Sequence, residues 1–210
     1  MRVTGGEYSG RRIAVPPGEI RPAMDRMRES VFSILTSALG SLEGLAVLDL
    51  FSGSGSMALE ALSRGAHSAV LVERDRGKAT VIRKNFSYVG DDRWKLILAA
   101  AERYLKRVAV RSGGRAGTAG SSANPGAGTY GPPFDLLFVD PPFRYRGKAG
   151  LLSQIASAGV LAPKGRVVIH VPAEDDLTDE PEGLVRTDRR AYGRSIVHIF
   201  APAGGARPEE

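Results

Sequence analysis

From Ala46 onward, short apolar runs alternate with longer segments of helical periodicity, and this alternation constrains the chain more than any other feature. A run that is apolar on both faces has to be covered on both, which a parallel sheet with crossover helices achieves. The spacing predicts strands at Ala46 to Leu50, Ala69 to Val72, Leu96 to Ala99, Leu136 to Val139 and Val167 to His170. Helices are expected at Ser56 to Arg64, Arg76 to Val89, Ala101 to Val110 and Lys148 to Ala158. Two further β-rich runs, Leu184 to Thr187 and Ser195 to Phe200, follow with no good helix between them. An α/β fold whose sheet ends in an antiparallel hairpin is therefore expected.

Ahead of this core, Arg2 to about Val15 reads as a small β-hairpin or extended arm, closed by Pro16-Pro17-Gly18. Asp25 is placed to cap a helix in which Met27, Val31, Ile34, Leu35 and Leu39 recur at helical spacing. The domain plan is a β arm or hairpin over 1–20, a main α/β domain over 21–203 and a disordered tail over 204–210. Within that domain, 111–133 is rich in Gly, Ala, Ser and Pro and is expected to be a flexible insertion.

With 29 Lys plus Arg against 23 Asp plus Glu, the net charge of +6 leans toward a polyanionic partner. The absence of cysteine excludes a disulfide framework, a thiolate metal site and a cysteine nucleophile, and fits a cytoplasmic protein. No metal is expected. No stretch approaches the roughly 18 apolar residues of a membrane-spanning helix, so no membrane partner is expected.

The residues that carry chemistry gather at one predicted sheet edge. Asp49 to Gly55, reading DLFSGSG, runs from a buried strand into a Gly-rich turn and then a helix. Its Gly-x-Gly spacing fits neither a dinucleotide fingerprint nor a P-loop, and a tight turn with no ligand remains open at this point. Glu73 ends the next strand, about 20 residues on, where an acid can accept both hydroxyls of a ribose. A helix N-terminal role for Glu73 is the alternative, although Asp75 fills it better. After the fourth strand comes Asp140-Pro141-Pro142-Phe143, whose prolines stiffen an extended corner carrying a carboxylate, carbonyl acceptors and an aromatic ring. Such a ring can stack on a base; a Pro-rich turn with a core Phe is the plainer reading. His67, His170 and His198 lie in no catalytic pattern and read as structural.

The Asp140-Pro141-Pro142-Phe143 corner resembles the amino-methyltransferase signature, Asp49 to Gly55 the first S-adenosylmethionine motif, and Glu73 the second. More narrowly, Arg2-Val3-x-Gly5-Gly6, Arg21-Pro22-x-x-Asp25-Arg26-x-Arg28-Glu29, Leu48 to Gly55 with Leu59 to Ala66, and Tyr192-Gly193 look like the RsmD family. The likeness runs from Arg2 to about Phe200, interrupted by the insertion. The resemblance implies a Rossmann-like, seven-stranded, mostly parallel sheet with an antiparallel last strand. It also implies S-adenosyl-L-methionine as cofactor, held by Asp49, Phe51, Gly53, Ser54, Gly55, Glu73, Arg74, Ala100, Ala101 and Asp140.

Many methyltransferases place an Asp after the third strand for the adenine amino group, where this chain has Ala100. Adenine is then expected to rest on backbone groups and apolar contacts, or on Glu102 reaching back. Members of the RsmD family methylate a guanine N2 of 16S ribosomal RNA, so that RNA or the assembling small subunit is the expected partner of a monomer. Asp140, Pro141, Pro142 and Phe143 are the expected catalytic group. Arg2, Arg11, Arg12, Arg21, Arg26 and Arg28 are the expected RNA-binding cations. The competing classes are an amino-methyltransferase for another base, such as adenine N6 in DNA, and a catalytically silent RNA-binding protein of the same fold.

Overall fold

A computed structural model describes residues 1–15, 23–112 and 130–204. The alternation seen in the sequence produces seven strands in one sheet, ordered β3-β2-β1-β4-β5-β7-β6. These are β1 (Ala46–Leu50), β2 (Ser68–Glu73), β3 (Trp94–Leu98), β4 (Phe134–Val139), β5 (Leu161–Pro172), β6 (Leu184–Tyr192) and β7 (Ser195–Pro202). Strands β1 to β5 pair in parallel, and β7 is antiparallel to both β5 and β6. The expected closing hairpin is therefore present, and longer than its apolar residues suggested.

Helices α1 (Ala23–Leu39), α2 (Ser56–Ser63) and α3 (Arg76–Asn85) cover one face of the sheet, and α4 (Ala101–Ser112) and α5 (Lys148–Ser157) cover the other. Strand alternation divides the core between the faces. Val47, Leu71 and Phe138 pack with Leu35, Leu62 and Phe86 on the first, whereas Leu48, Val72 and Leu137 pack with Leu105 and Ile155 on the second. Every residue of β2 is buried, as a central parallel strand requires.

Several boundaries differ from expectation, three of them with consequences for packing. α1 begins at Ala23, so Asp25 lies in its first turn instead of capping it. α3 stops at Asn85 because that side chain turns inward, donating to the Ala14 and Ser54 carbonyls at 2.8 Å each and accepting from Ala14 N at 2.8 Å. β5 starts at Leu161 rather than Val167, its pairing with β4 shifting register between Phe134 and Leu136. Arg21, residues 113–129 of the expected insertion and residues 205–210 of the tail lie outside the described residues.

The opening segment folds back on itself: Arg2 and Arg12 form an antiparallel bridge, Val3 N donates to the Arg11 carbonyl at 3.0 Å and Ile13 N to the Met1 carbonyl at 3.0 Å. Val3, Tyr8 and Ile13 are buried in the first-face core, so this segment is packed on the sheet domain. A buried carboxylate fastens it there. Glu60 of α2 accepts from Thr4 N at 2.9 Å, Thr4 Oγ1 at 2.6 Å, Arg64 Nε at 2.8 Å and Arg28 Nε at 3.2 Å. Arg28 also donates to the Arg2 carbonyl and to Asp25. At 2% exposure Arg28 is a structural cation, which corrects the expectation that it would be free to meet phosphates.

Candidate active site

In this sheet the chain reverses its direction of growth between β1 and β4, and side chains from the C-terminal ends of adjacent parallel strands there face a common crevice. A cleft of about 570 Å³ opens at that edge. It lies within the range usual for a small-molecule site. Asp49, Phe51, Gly53, Ser54, Glu73 and Arg74 line it from the first two strand ends. Ala100 and Ala101 line it from the third, and Asp140, Pro141, Pro142 and Phe143 from the fourth. Residues 90 positions apart in the chain are thus brought together by one sheet edge.

The turn after β1 is shaped by backbone geometry. Phe51 has φ 62°, Gly53 φ 57° and Gly55 φ 76°. Gly55 does not line the cleft; it opens α2, and a Cβ there would come within 2.7 Å of Phe86. Its absence lets the turn fold tightly against the core. Phe51 then meets the ring of Tyr145 edge-on, with centroids 5.3 Å apart.

Glu73, 6% exposed, accepts Gly53 N at 3.0 Å through one oxygen and Asp75 N at 2.8 Å through the other. These backbone donors fix the carboxylate while leaving each oxygen a further lone pair for a ligand hydroxyl. Asp75 itself caps α3, accepting from Gly77 N and Lys78 N, so Glu73 is not needed as the helix cap. Asp49 accepts Ala58 N at 3.3 Å. Burial holds the Asp49 carboxyl well above the usual carboxylate range; the Ala58 bond opposes this, and the charges of Asp140 and Glu73 reinforce it.

Glu102 lines the cleft, but one oxygen accepts the Tyr145 hydroxyl at 2.6 Å. Burial, then this bond and the Glu102 charge, raise the Tyr145 phenol above its ordinary range, so it stays a donor. The corner after β4 is set by Tyr145 N donating to the Pro142 carbonyl at 2.7 Å, and by Lys148, 3% exposed, donating to the Tyr145 carbonyl at 2.6 Å.

His170, read from the sequence as structural, lines the cleft beside Asp140. Its Nδ1 lies 2.8 Å from Asp140 Oδ1, and Phe143 meets its ring edge-on at 5.7 Å. The strand register brings them together: Ile169 pairs with Val139, which sets the next residues, His170 and Asp140, side by side. His198, in contrast, is fully buried against Asp176 at 2.7 Å and is structural, as expected. Among the described residues no group of acids and histidines could hold a metal ion, and no helix is long and apolar enough to cross a membrane.

The expected RNA-binding cations do not share one environment. Arg26 and Arg12 are exposed, Arg2 donates to the Gly10 carbonyl at 2.7 Å, and Arg11 stacks over Tyr88 at 4.1 Å. None of the four lines the cleft.

Comparison with known proteins places this geometry. The chain is 31% identical over 202 residues to ribosomal RNA small subunit methyltransferase D of Escherichia coli K12, covering 95% of this chain and 89% of that one. The solved structure of the yhhF methyltransferase of Escherichia coli superimposes with a TM-score of 0.75 at 27% identity, over 96% of this chain and 97% of that one. A more distant methyltransferase structure, SMU.776 complexed with SAH, shares the fold at 15% identity and a TM-score of 0.59, over 86% of this chain and 50% of that one. The family model described as Conserved hypothetical protein 95 matches residues 1–114 and 119–201, and with it the chain belongs to the RsmD family of methyltransferases.

Proposed function

We propose that this chain transfers the methyl group of S-adenosyl-L-methionine to the exocyclic N2 of a guanine in 16S ribosomal RNA. The observation that carries the reading is the arrangement of one cleft: a ribose-type acid, Glu73, at one strand end and an acceptor-plus-aromatic corner, Asp140 to Phe143, at another. The residues fit the cofactor. Gly53 and Gly55 let the backbone turn beneath a ligand, Glu73 keeps lone pairs for two ribose hydroxyls, and the acidity of Asp49, Glu73 and Asp140 suits a cationic ligand. Adenine would rest between Arg74 and the Ala100-Ala101 backbone, with the free oxygen of Glu102 in reach of its amino group.

The cofactor supplies a methyl group on a sulfonium, already a strong electrophile. What this chain must supply is geometry. A guanine amine is a poor nucleophile because its lone pair is delocalised into the ring. Asp140 and the Pro141 carbonyl accept its two hydrogens, localising the lone pair and directing it along the line of attack. As positive charge grows on nitrogen, the same acceptors stabilise it. The methylated amine is acidic enough to lose its proton without a dedicated base. Phe143 stacks on a base taken out of its RNA stack.

Nucleoside mass spectrometry of 16S RNA after incubation with the protein and labelled cofactor tests this, with N2-methylguanosine as the expected product. An Asp140→Ala variant is expected to keep cofactor binding and lose turnover by about a hundredfold, the usual cost of removing a preorganised transition-state partner. Label on adenine would move the substrate to another base. Near-normal turnover in Asp140→Ala would overturn the mechanism.

A further inference from the structure

Two features of the cleft meet at one side chain that the methyl-transfer reading leaves idle. His170 lies within the buried C-terminal part of β5, with its side chain 11% exposed. Its Nδ1 is 2.8 Å from Oδ1 of Asp140, whose side chain is 38% exposed. Its ring also carries the edge of Phe143, 5.7 Å away at an interplanar angle of 72°. The same imidazole therefore touches the proposed amine acceptor and the proposed base-stacking ring.

We propose that His170 is a positioning residue which locks the Asp140 carboxylate and the Phe143 ring into one arrangement for the target base. The inference rests on the methyl-transfer reading and deepens it. An ionised carboxylate has no proton to give, so the 2.8 Å contact requires His170 to carry its hydrogen on Nδ1 and donate it. That bond occupies Oδ1 and leaves Oδ2 as the acceptor for the substrate amine. The other ring nitrogen, Nε2, is buried and has no hydrogen-bond partner among the described residues. A hydrogen there would be buried without an acceptor, which further favours the tautomer that donates to Asp140. His170 is thus pointed one way, as an orienting group.

A free carboxylate at this corner would rotate about its side-chain bonds. A small misplacement of a reacting group can cost as much as a missing one, so fixing the rotamer is worth about ten- to a hundredfold in rate. Aromatic edge contact adds a second restraint on Phe143 without consuming any donor.

The test uses the whole protein with three measurements. In His170→Phe the ring persists and the donor is lost; kcat on 16S RNA is expected to fall about ten- to a hundredfold while cofactor Kd and the RNA KM stay within twofold. In His170→Asn the side-chain amide nitrogen stands where Nδ1 stood, and most of the lost kcat is expected to return. A merely structural histidine would not show this rescue, since Asn fills the space less well than Phe. Nitrogen-15 NMR of the unsubstituted protein at neutral pH is expected to show His170 protonated on Nδ1. An Nε2-protonated tautomer would overturn the proposal, as would His170→Phe at full kcat or His170→Asn no better than His170→Phe. Absence of methyl transfer by the unsubstituted protein would instead count against the functional reading, and the tautomer measurement would still decide the contact.

Discussion

Two buried acids of the same domain, Glu60 of α2 and Asp49 of β1, are treated in opposite ways. Behind α2, Glu60 is fully buried yet its carboxyl is held below the usual range: burial alone would raise it, and the Thr4 bonds together with Arg64 and Arg28 overcome that. At the strand ends, Asp49 is just as deep, its hydrogen bond comes from a backbone N–H, and its carboxyl is held well above the usual range. A buried charge costs several kcal/mol unless a partner is supplied. Glu60 finds its partners in the chain. Asp49 and Glu73 have backbone donors in their place, so a bound cation lowers the cost of leaving Asp49 ionised. Complete pairing marks a structural joint; incomplete pairing marks a place for a ligand.

The largest expected effect breaks the structural side of this comparison. Glu60→Ala leaves Arg28 buried with only Asp25 and the Arg2 carbonyl, and removes the anchor of residues 1–15. Removing one partner of a buried pair costs about 3 to 5 kcal/mol, and denaturant unfolding should read a loss of that size. The pH dependence follows the sign of the shift. A carboxyl whose folded pKa lies below its unfolded value adds stability above the unfolded value near 4.5 and loses it as pH falls through the folded one. Glu60→Ala should therefore narrow the stability gap to the parent in acid. Cofactor affinity, measured at low denaturant where both are folded, is expected to stay within a fewfold.

A substitution at the strand ends should do the reverse. Glu73→Ala is expected to weaken cofactor binding by about 1.5 to 3 kcal/mol, the range for hydrogen bonds to a charged group. Glu73→Gln, which keeps one acceptor oxygen for Gly53 N or Asp75 N, should fall between the two. Calorimetry with S-adenosyl-L-methionine checks both. Unchanged affinity in a folded Glu73→Ala protein would remove Glu73 from the ribose site and weaken the contrast with Glu60.

How far the sequence carried this contrast is instructive. The central strands are visible as apolar runs, since a strand covered on both faces has no polar alternative, and the sheet edge bearing Asp49, Glu73 and Asp140 follows from their places at or near strand ends; the polar part of β6 carries no such signal. Arg28 and Glu60 were not visible as partners: they lie 32 residues apart, and nothing local distinguishes a buried guanidinium from a solvated one. Asn85 ended α3 early for a similar reason, because its partners, Ala14 and Ser54, are distant in the chain. The contact of His170 with Asp140 depends on the register of the neighbouring strand, which no local pattern encodes. Charge can be counted along a chain, but its compensation is a property of the fold.

The smallest expected effect concerns the cations of the opening segment. Arg12 is exposed, while Arg11 lies over Tyr88 at 4.1 Å and 6.0 Å from the Tyr8 ring centroid. Stacking uses the face of a guanidinium and leaves its edge donors open, so Arg11 can brace Tyr88 and still meet a phosphate. Each phosphate contact on duplex RNA or DNA contributes slightly less than one unit to the slope of log affinity against log salt, and single strands contribute about 0.7. Arg11→Ala/Arg12→Ala is expected to flatten the slope for 16S RNA by one to two units' worth of such contacts, with cofactor affinity unchanged because neither residue lines the cleft. The comparison partner is Arg144→Ala/Arg146→Ala, whose exposed side chains alternate with the cleft-lining Phe143 and Tyr145. If the slope falls only in the second variant, RNA is held at the cleft mouth and the opening segment serves stability alone, through Glu60 and its buried Val3, Tyr8 and Ile13. If it falls in both, the packed segment extends the RNA surface outward from the site, and its buried anchor becomes part of how the substrate is aimed.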